Sequence, residues 1–568
     1  GLKYFTLCIL NLKYMKVPLF LEIKLGLGGH SHFTTHDLGI FFIVLHRSVH
    51  VDSPSASNMS YVHGPTSVPL LSLTVGQSLQ ATVNKWPDRD AVVFLQDGVR
   101  KSFYQFQHEV NHLAAGLLAL GLQKGNMLGI WGPNTYEWIL FQFATAKAGI
   151  IMVSLNPAYK VSELTFALRK VQCNAVVCPT QFKSQRFYDM LRQICPELNT
   201  AVSGSIRSAS LPDLRNVIVT DGKESGMLNV DDVMQAAESR HHQQLDRLEG
   251  ILSPEDPINI QFTSGTTGNP KGVTLSHHNI VNNAYFIGLL CVPVPLYHCF
   301  GSVLSGMCMA VHGITLVFPS TAYDGQANLE AIEKEKCTVI YGTPTMYIDL
   351  LNQHFGNNDL SSLETGVMGG SSCPPEVIWR VINDMKVAYG TTENSPITFL
   401  GFPLDELKRK TDSVGYIMDH TEAKVVDSLS GQLLPLGQPG ELLIRGYCVM
   451  QGYWDEPDRT QESISEDGWY KTGDIASLDQ YGYCRIEGRM KDVINRGGEK
   501  IFPAEVEQFL HKHPKVKDVQ VVGVKDDRLG EQVCACIRLT AKTSYPLTAS
   551  GKIQKNKLRA EMENSLGL

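Results

Sequence analysis

The sequence predicts an α/β protein: a large N-terminal domain of helix-covered sheets with a β-rich subdomain, then a small α+β C-terminal lid. Three observations predict it. From Ser60 to about residue 390, short apolar runs alternate with helical patterns, the rhythm of parallel strands covered by helices. Between 413 and 487 the helices stop, and short strand patterns separated by Gly and Asp take over. From 490 to 568 mixed α and β patterns return. The chain of 568 residues is too long for one ordinary domain. Its 43% hydrophobic and 19% charged residues suit a large core and exclude a disordered chain.

Residues 1–58 show no sustained period and neither an Arg-rich transit pattern nor a secretory one, and are taken as a leader of unknown status. Ala91 to Leu95 reads as a strand. Residues 103–120 read as an amphipathic helix, opened by Ser102 with Gln105 three residues on, a capping box. Leu128 to Trp131, Ile150 to Leu155, Asn174 to Cys178 and Val217 to Thr220 continue the strands. A second series follows: strands at Thr315 to Phe318, Thr338 to Tyr341, Gly366 to Met368 and Lys386 to Tyr389, with helices between them through Lys336, through Leu351 and after Met368. In the β-rich part, Glu422 to Asp427, Glu441 to Arg445 and Tyr483 to Glu487 read as strands.

The formal net charge of −7, spread evenly, gives no electrostatic footprint for nucleic acid. No apolar stretch reaches the roughly 18 residues of a membrane-spanning helix; Leu38 to Leu45 is far too short. The 13 cysteines include no C-x-x-C, and Cys534 and Cys536 alternate with apolar residues as strand positions do. That argues for reduced thiols and no zinc ribbon.

The most informative segment is Thr263-Ser264-Gly265-Thr266-Thr267-Gly268-Asn269-Pro270-Lys271-Gly272. Glycines let backbone N–H groups approach an anion, hydroxyls donate to phosphate oxygens, and Lys271 supplies a point charge. The segment follows an apolar stretch and precedes a helical one, so it reads as a loop. It is not a Walker A loop, because Lys271 is followed by Gly272. Composition alone leaves a flexible surface loop equally open.

In its wording this segment resembles the signature of the adenylate-forming superfamily of acyl-CoA synthetases, luciferases and peptide-synthetase adenylation domains. Four further motifs follow in that family's order. They are Tyr389-Gly390-Thr391-Thr392-Glu393, Tyr470-Lys471-Thr472-Gly473-Asp474, Gly488-Arg489-Met490-Lys491-Asp492 with Arg496-Gly497-Gly498-Glu499-Lys500-Ile501, and Pro546-Leu547-Thr548-Ala549-Ser550-Gly551-Lys552. The resemblance runs from about Ser60 to the C-terminus and is strongest to the medium-chain acyl-CoA synthetases of the mitochondrial matrix.

The resemblance implies a large domain at 59–488 that binds nucleotide and acid, a lid at 489–568, and a two-step reaction. A carboxylate attacks the α-phosphate of ATP, giving acyl-adenylate and pyrophosphate. The thiol of coenzyme A then displaces AMP and forms a thioester. Both transition states gather negative charge, so such a site needs preorganised donors and cations. By motif, Thr263 through Lys271 hold the β- and γ-phosphates. Glu393 helps hold Mg²⁺, a hard cation suited to carboxylate oxygen, and Tyr389 and Thr392 bind ATP. Asp474 accepts from ribose hydroxyls and Arg489 faces the nucleotide. Gly370 and Ser371 form the adenine-side wall, with a plain turn as the open alternative for Gly369 and Gly370. Lys552 reaches the α-phosphate and the carboxylate. Lys491 marks the hinge on which the lid rotates. Gly497 and Gly498 let the pantetheine arm pass close to backbone.

His298, in Leu296-Tyr297-His298-Cys299-Phe300-Gly301, resembles the family motif beside the acyl pocket; a satisfied core histidine remains the competing reading. The absence of an acidic residue from 296–301, where amino-acid-activating relatives place one, favours an uncharged fatty acid. Two stretches are shorter than the family pattern, at 291–295 and between Leu539 and Tyr545, where relatives place a helix and a strand of the lid. The lid is therefore expected to be truncated internally, and a nucleotide-binding isoform with impaired catalysis is an alternative to the complete ligase. A third reading comes from His108-Glu109-Val110-Asn111-His112, which spells the H-E-x-x-H of zinc metallopeptidases. Helix geometry opposes it: Phe103, Phe106, Val110, Leu113 and Leu117 share one face, and both histidines fall on the other, towards solvent.

Overall fold

The computed structural model describes residues 5–8, 58–263, 270–287, 293–353, 358–371, 373, 378, 385–402, 405–511, 513, 516, 518–538, 545–546 and 553–566. The expected alternation produces two large sheets and a small third, in which Asp90–Phe94 pairs parallel with Leu316–Phe318 and antiparallel with Val99–Ser102. The largest has eight strands in the order Leu228–Asn229, Asn216–Val219, Ala175–Cys178, Met127–Trp131, Ile151–Leu155, Pro257–Thr263, Lys271–Ser276, Gly452–Tyr453. It is parallel from the first strand to Pro257–Thr263, and antiparallel beyond. The 127–131 and 151–155 strands are buried throughout, as strands covered on both faces must be. A second sheet places Val339–Gly342, Thr365–Met368 and Met385–Gly390 in parallel and adds Ile397–Leu400 and Tyr416–Ile417 antiparallel.

The helix Phe103–Ala119 opens as the sequence requires. Ser102 Oγ accepts from the Gln105 N–H, and the Gln105 side chain accepts from the Ser102 N–H. Its apolar face, including Phe103, Phe106, Val110, Leu113 and Leu117, lies in the main core with Trp138, Phe141 and Phe143.

The β-rich part is an antiparallel sheet of Tyr61–His63, Thr421–Val426, Gly440–Gly446, Tyr470–Leu478 and Cys484–Arg489. One expectation for this region fails: a helix, Pro457–Ser463, interrupts it. Proline fits the first turn of a helix, where its missing N–H has no intrahelical partner to lose. This helix buries none of its residues, so it carries no apolar stripe to announce it.

The C-terminal part contains Ile494–Arg496, Glu499–Ile501, Asp518–Asp526 and Gly530–Arg538, with helices Pro503–His511 and Lys555–Leu566. Cys534 and Cys536 are buried strand residues. The backbone of Phe5–Cys8 pairs antiparallel with this sheet, Phe5 opposite Ile537 and Cys8 opposite Cys534. That contact between distant ends was not expected of the leader. Residues 539–544, the expected gap in the lid, lie outside the described residues, as does most of the helix expected after Met368. Among the described residues no helix is long and apolar enough to cross a membrane.

Candidate active site

The phosphate-loop motif lies at the turn of a β-hairpin, not before a helix as its sequence context suggested. Thr263 ends one strand and Lys271 begins the next, and the two are paired across the ladder. The hairpin fixes both ends of the loop on the large sheet; Ser264 through Asn269 lie outside the described residues. A Cβ on Gly272 would stand 3.1 Å from the Ile260 side chain, a tight contact that asks Ile260 to give way by a few tenths of an ångström.

Lys271 and Glu393 are brought together by a residue the motifs did not name. The Lys271 ammonium sits 4.4 Å from the centre of the Tyr453 ring, a cation–π contact. The Tyr453 phenol donates to Glu393 Oε1 at 3.1 Å. Tyr453 is delivered by a two-residue strand that pairs with Val273. Burial and the Glu393 charge push the Tyr453 hydroxyl pKa up, so it stays a donor. Glu393 itself occupies the turn Thr392–Asn394, and its carbonyl accepts from the Met450 N–H at 2.8 Å. The Gly390 before this turn tolerates no side chain, because a Cβ would collide with the Pro396 carbonyl.

Asp474 is held from two sides. Tyr389 Oη donates to its Oδ2 at 2.6 Å, and Arg489 Nε lies 3.5 Å from its Oδ1. Strand register explains the second contact: Asp474 and Arg489 are directly opposed across the antiparallel pair. Asp474 is only 6% exposed, and Arg489 is half exposed. Thr472 sets the local backbone, accepting from the Asp474 N–H at 3.1 Å and donating to the Leu442 carbonyl at 2.7 Å. Burial and the neighbouring carboxylate push the Tyr389 hydroxyl pKa well up.

Gly369 and Gly370 follow the Thr365–Met368 strand. Gly370 has φ +90°, which favours glycine, and a Cβ on Gly369 would meet the Ala388 carbonyl at 2.9 Å. Ser371 is exposed beside them. His298 caps the short helix Cys299–Gly301: its Nδ1 accepts from the Phe300 N–H at 3.2 Å. It is half-buried, and its neighbour Cys299 places Sγ 3.6 Å from Thr392 Oγ1, next to the Glu393 turn. Beyond it Phe300 stacks on Tyr341 with ring centres 5.8 Å apart, and Val303 and Leu304 are buried. The histidine thus serves a structural role and still borders the site.

Lys491 is exposed in the turn Met490–Asp492, directly after Arg489. Gly497 and Gly498, at φ +61° and +92°, form the two-residue hairpin turn between Ile494–Arg496 and Glu499–Ile501. Two consecutive positive φ angles are what such a tight turn demands, so the pair has a sufficient structural reason. Lys552 lies outside the described residues. The metallopeptidase reading is not favoured. Both Glu109 carboxylate oxygens are engaged, by Lys101 at 2.6 Å and by the Tyr136 phenol at 2.6 Å.

The model of the AMP-binding enzyme family matches residues 79–454, and that of the AMP-binding enzyme C-terminal domain matches 505–567. The chain belongs to the AMP-binding enzyme family. Within it, the chain is 58% identical to the zebrafish (Danio rerio) medium-chain acyl-CoA ligase ACSF2, mitochondrial, over 92% of this chain and 94% of that protein. It is 49% identical to the human (Homo sapiens) protein of the same name, over 93% and 94%. Among solved structures, the anthranilate CoA ligase AuaEII in complex with anthranoyl-AMP shares the fold, with a TM-score of 0.75 at 24% identity over 89% of this chain and 99% of that one. The family's two-domain architecture is the one expected from the sequence, and the C-terminal match extends through the shortened stretch.

Proposed function

We propose that this chain is an AMP-forming acid–thiol ligase of the mitochondrial matrix that activates a medium-chain fatty acid with ATP and transfers it to coenzyme A. The observation that carries the proposal is the meeting of Lys271 and Glu393 at Tyr453. It sets a phosphate-seeking cation beside a carboxylate at the foot of the glycine- and hydroxyl-rich hairpin. The relatives' names support the acid and the compartment. The same relatives favour the ligase over the impaired isoform and the peptidase.

The site's parts divide the work. Thr263 through Lys271 take the β- and γ-phosphates, and Asp474, oriented by Tyr389 and Arg489, takes the ribose hydroxyls. Gly370 and Ser371 wall the adenine without adding side-chain bulk. A Mg²⁺ ion suits the Glu393 carboxylate with the Thr392 hydroxyl next to it; when bound it neutralises charge on the phosphates. The apolar wall of Phe300, Val303 and Leu304 beyond His298 suits an alkyl chain. In the assigned division, 59–488 holds these groups apart from Arg489, and 489–568 turns at Lys491 to bring Lys552 to the α-phosphate, then Gly497 and Gly498 to the thiol-bearing arm.

The test is a product assay. Octanoate, ATP and coenzyme A should give octanoyl-CoA with AMP and pyrophosphate. Formation of ADP and phosphate, or of no thioester, would overturn the reading.

A further inference from the structure

Lys271 and Glu393 come from distant parts of the chain, and Tyr453 touches both: its ring faces the ammonium and its phenol donates to Glu393 Oε1. The ring is itself held from two sides. On one, Tyr453 stands opposite Val273 on the large sheet, two residues along the same strand from Lys271. On the other, its N–H donates to Thr460 Oγ1 at 3.0 Å, and Thr460 Oγ1 donates to the Glu456 carbonyl at 2.8 Å. The helix Pro457–Ser463, which buries nothing of its own, thus serves to carry Thr460 to this contact. Tyr453 is 6% exposed, so the phenol is fixed by packing as well as by hydrogen bonds.

A glutamate side chain has several rotatable bonds, and a donor on one carboxylate oxygen fixes the direction in which the other points. An aromatic face attracts an ammonium less strongly than a phosphate does. It can therefore keep Lys271 in place and still yield it to an arriving triphosphate.

We propose that Tyr453 is a positioning residue that couples the two halves of the phosphate site: its phenol aims Glu393 at the cation, and its ring keeps Lys271 beside it until a phosphate takes the ammonium. The inference rests on the roles given above to Lys271 and Glu393, and adds what sets their spacing.

The test uses two full-length variants. Tyr453→Phe keeps the ring face and removes the donor; Tyr453→Leu removes both. ATP affinity is measured by calorimetry in EDTA and in Mg²⁺, and octanoate-dependent pyrophosphate exchange is titrated with Mg²⁺. Tyr453→Phe should leave ATP affinity in EDTA unchanged and raise the half-saturating Mg²⁺ concentration by about three- to tenfold, the scale of one hydrogen bond. Saturating Mg²⁺ should restore its exchange rate. In a Glu393→Gln background the same substitution should add little. Tyr453→Leu should in addition weaken ATP binding in EDTA by about two- to fivefold, the scale of a cation–π contact. A Mg²⁺ titration of Tyr453→Phe that superimposes on that of the parent chain overturns the proposal. So does an equal loss of ATP affinity with and without Mg²⁺, which is what a structural role alone would give. A parent chain that binds no ATP overturns the function proposed above, and this inference with it.

Discussion

The Tyr389 phenol donates a 2.6 Å hydrogen bond to Asp474, joining two motifs that lie 85 residues apart in the chain. The bond fixes the carboxylate in the rotamer that also faces Arg489. Losing hydrogen bonds to a charged group costs roughly 1.5–3 kcal/mol, about ten- to a hundred-fold in affinity. Asp474→Ala should therefore weaken ATP binding by that factor while the fold persists. An unchanged ATP affinity by calorimetry would reject the ribose role.

Tyr389→Phe should act through the same carboxylate. Its effect should be smaller, about tenfold, and should nearly vanish in an Asp474→Ala background, because coupled residues are not additive. Additive losses in the double-mutant cycle would mean that Tyr389 touches the nucleotide independently.

Glu393→Gln keeps an oxygen to accept from Tyr453 and removes the charge. The Mg²⁺ concentration needed for half-maximal turnover should rise, by about tenfold if one charged ligand is lost. A magnesium titration that superimposes on that of the parent chain would remove Glu393 from the metal site.

His277 gives a pH signature of stability. It is fully buried and accepts from the Val75 N–H at 3.1 Å, the first N–H of the helix Val75–Lys85. Burial lowers its pKa from 6.5 to about 4. The unfolded chain therefore binds the proton first, and the stabilising contribution is complete above about pH 6.5 and lost as pH falls towards 4. Between pH 7.5 and 5 the loss is about 2 kcal/mol. Denaturant unfolding at the two pH values should show it, and His277→Asn should flatten it; equal slopes for both chains would assign the acid sensitivity elsewhere.

Lys552→Ala tests whether the lid delivers its lysine across the shortened 539–544 stretch. Removing one preorganised donor from a charge-developing site typically costs on the order of a hundred- to a thousand-fold in rate. Adenylation should fall by that order while ATP affinity changes little. An exchange rate indifferent to Lys552→Ala would mean that the lid does not reach the site.

Local signals carried most of the architecture. The capping box of Ser102 and Gln105 and the apolar face of Phe103, Phe106 and Val110 are written within one helix, so that helix was legible to within a residue. Asp474, Glu393 and Lys271 were legible through their motifs, but what joins them was not. Tyr453 stands on a two-residue strand, and its partners Lys271 and Glu393 are far away in sequence. The helix Pro457–Ser463 had a proline start but no buried face. The strand Lys271–Ser276 went unread between the loop and the helical pattern because it runs straight into the helix His277–Ile287. The pairing of Phe5–Cys8 with Cys534–Ile537 depends on chain closure over nearly the whole sequence, which no local pattern reports.

The most direct test of the account is ATP–pyrophosphate exchange dependent on a medium-chain acid. With octanoate and Mg²⁺, and without coenzyme A, the chain should incorporate labelled pyrophosphate into ATP, because the proposed first step assigns no part to the thiol. Exchange that is absent with octanoate, or that proceeds equally without any acid, would contradict the assignment of this site to carboxylate activation.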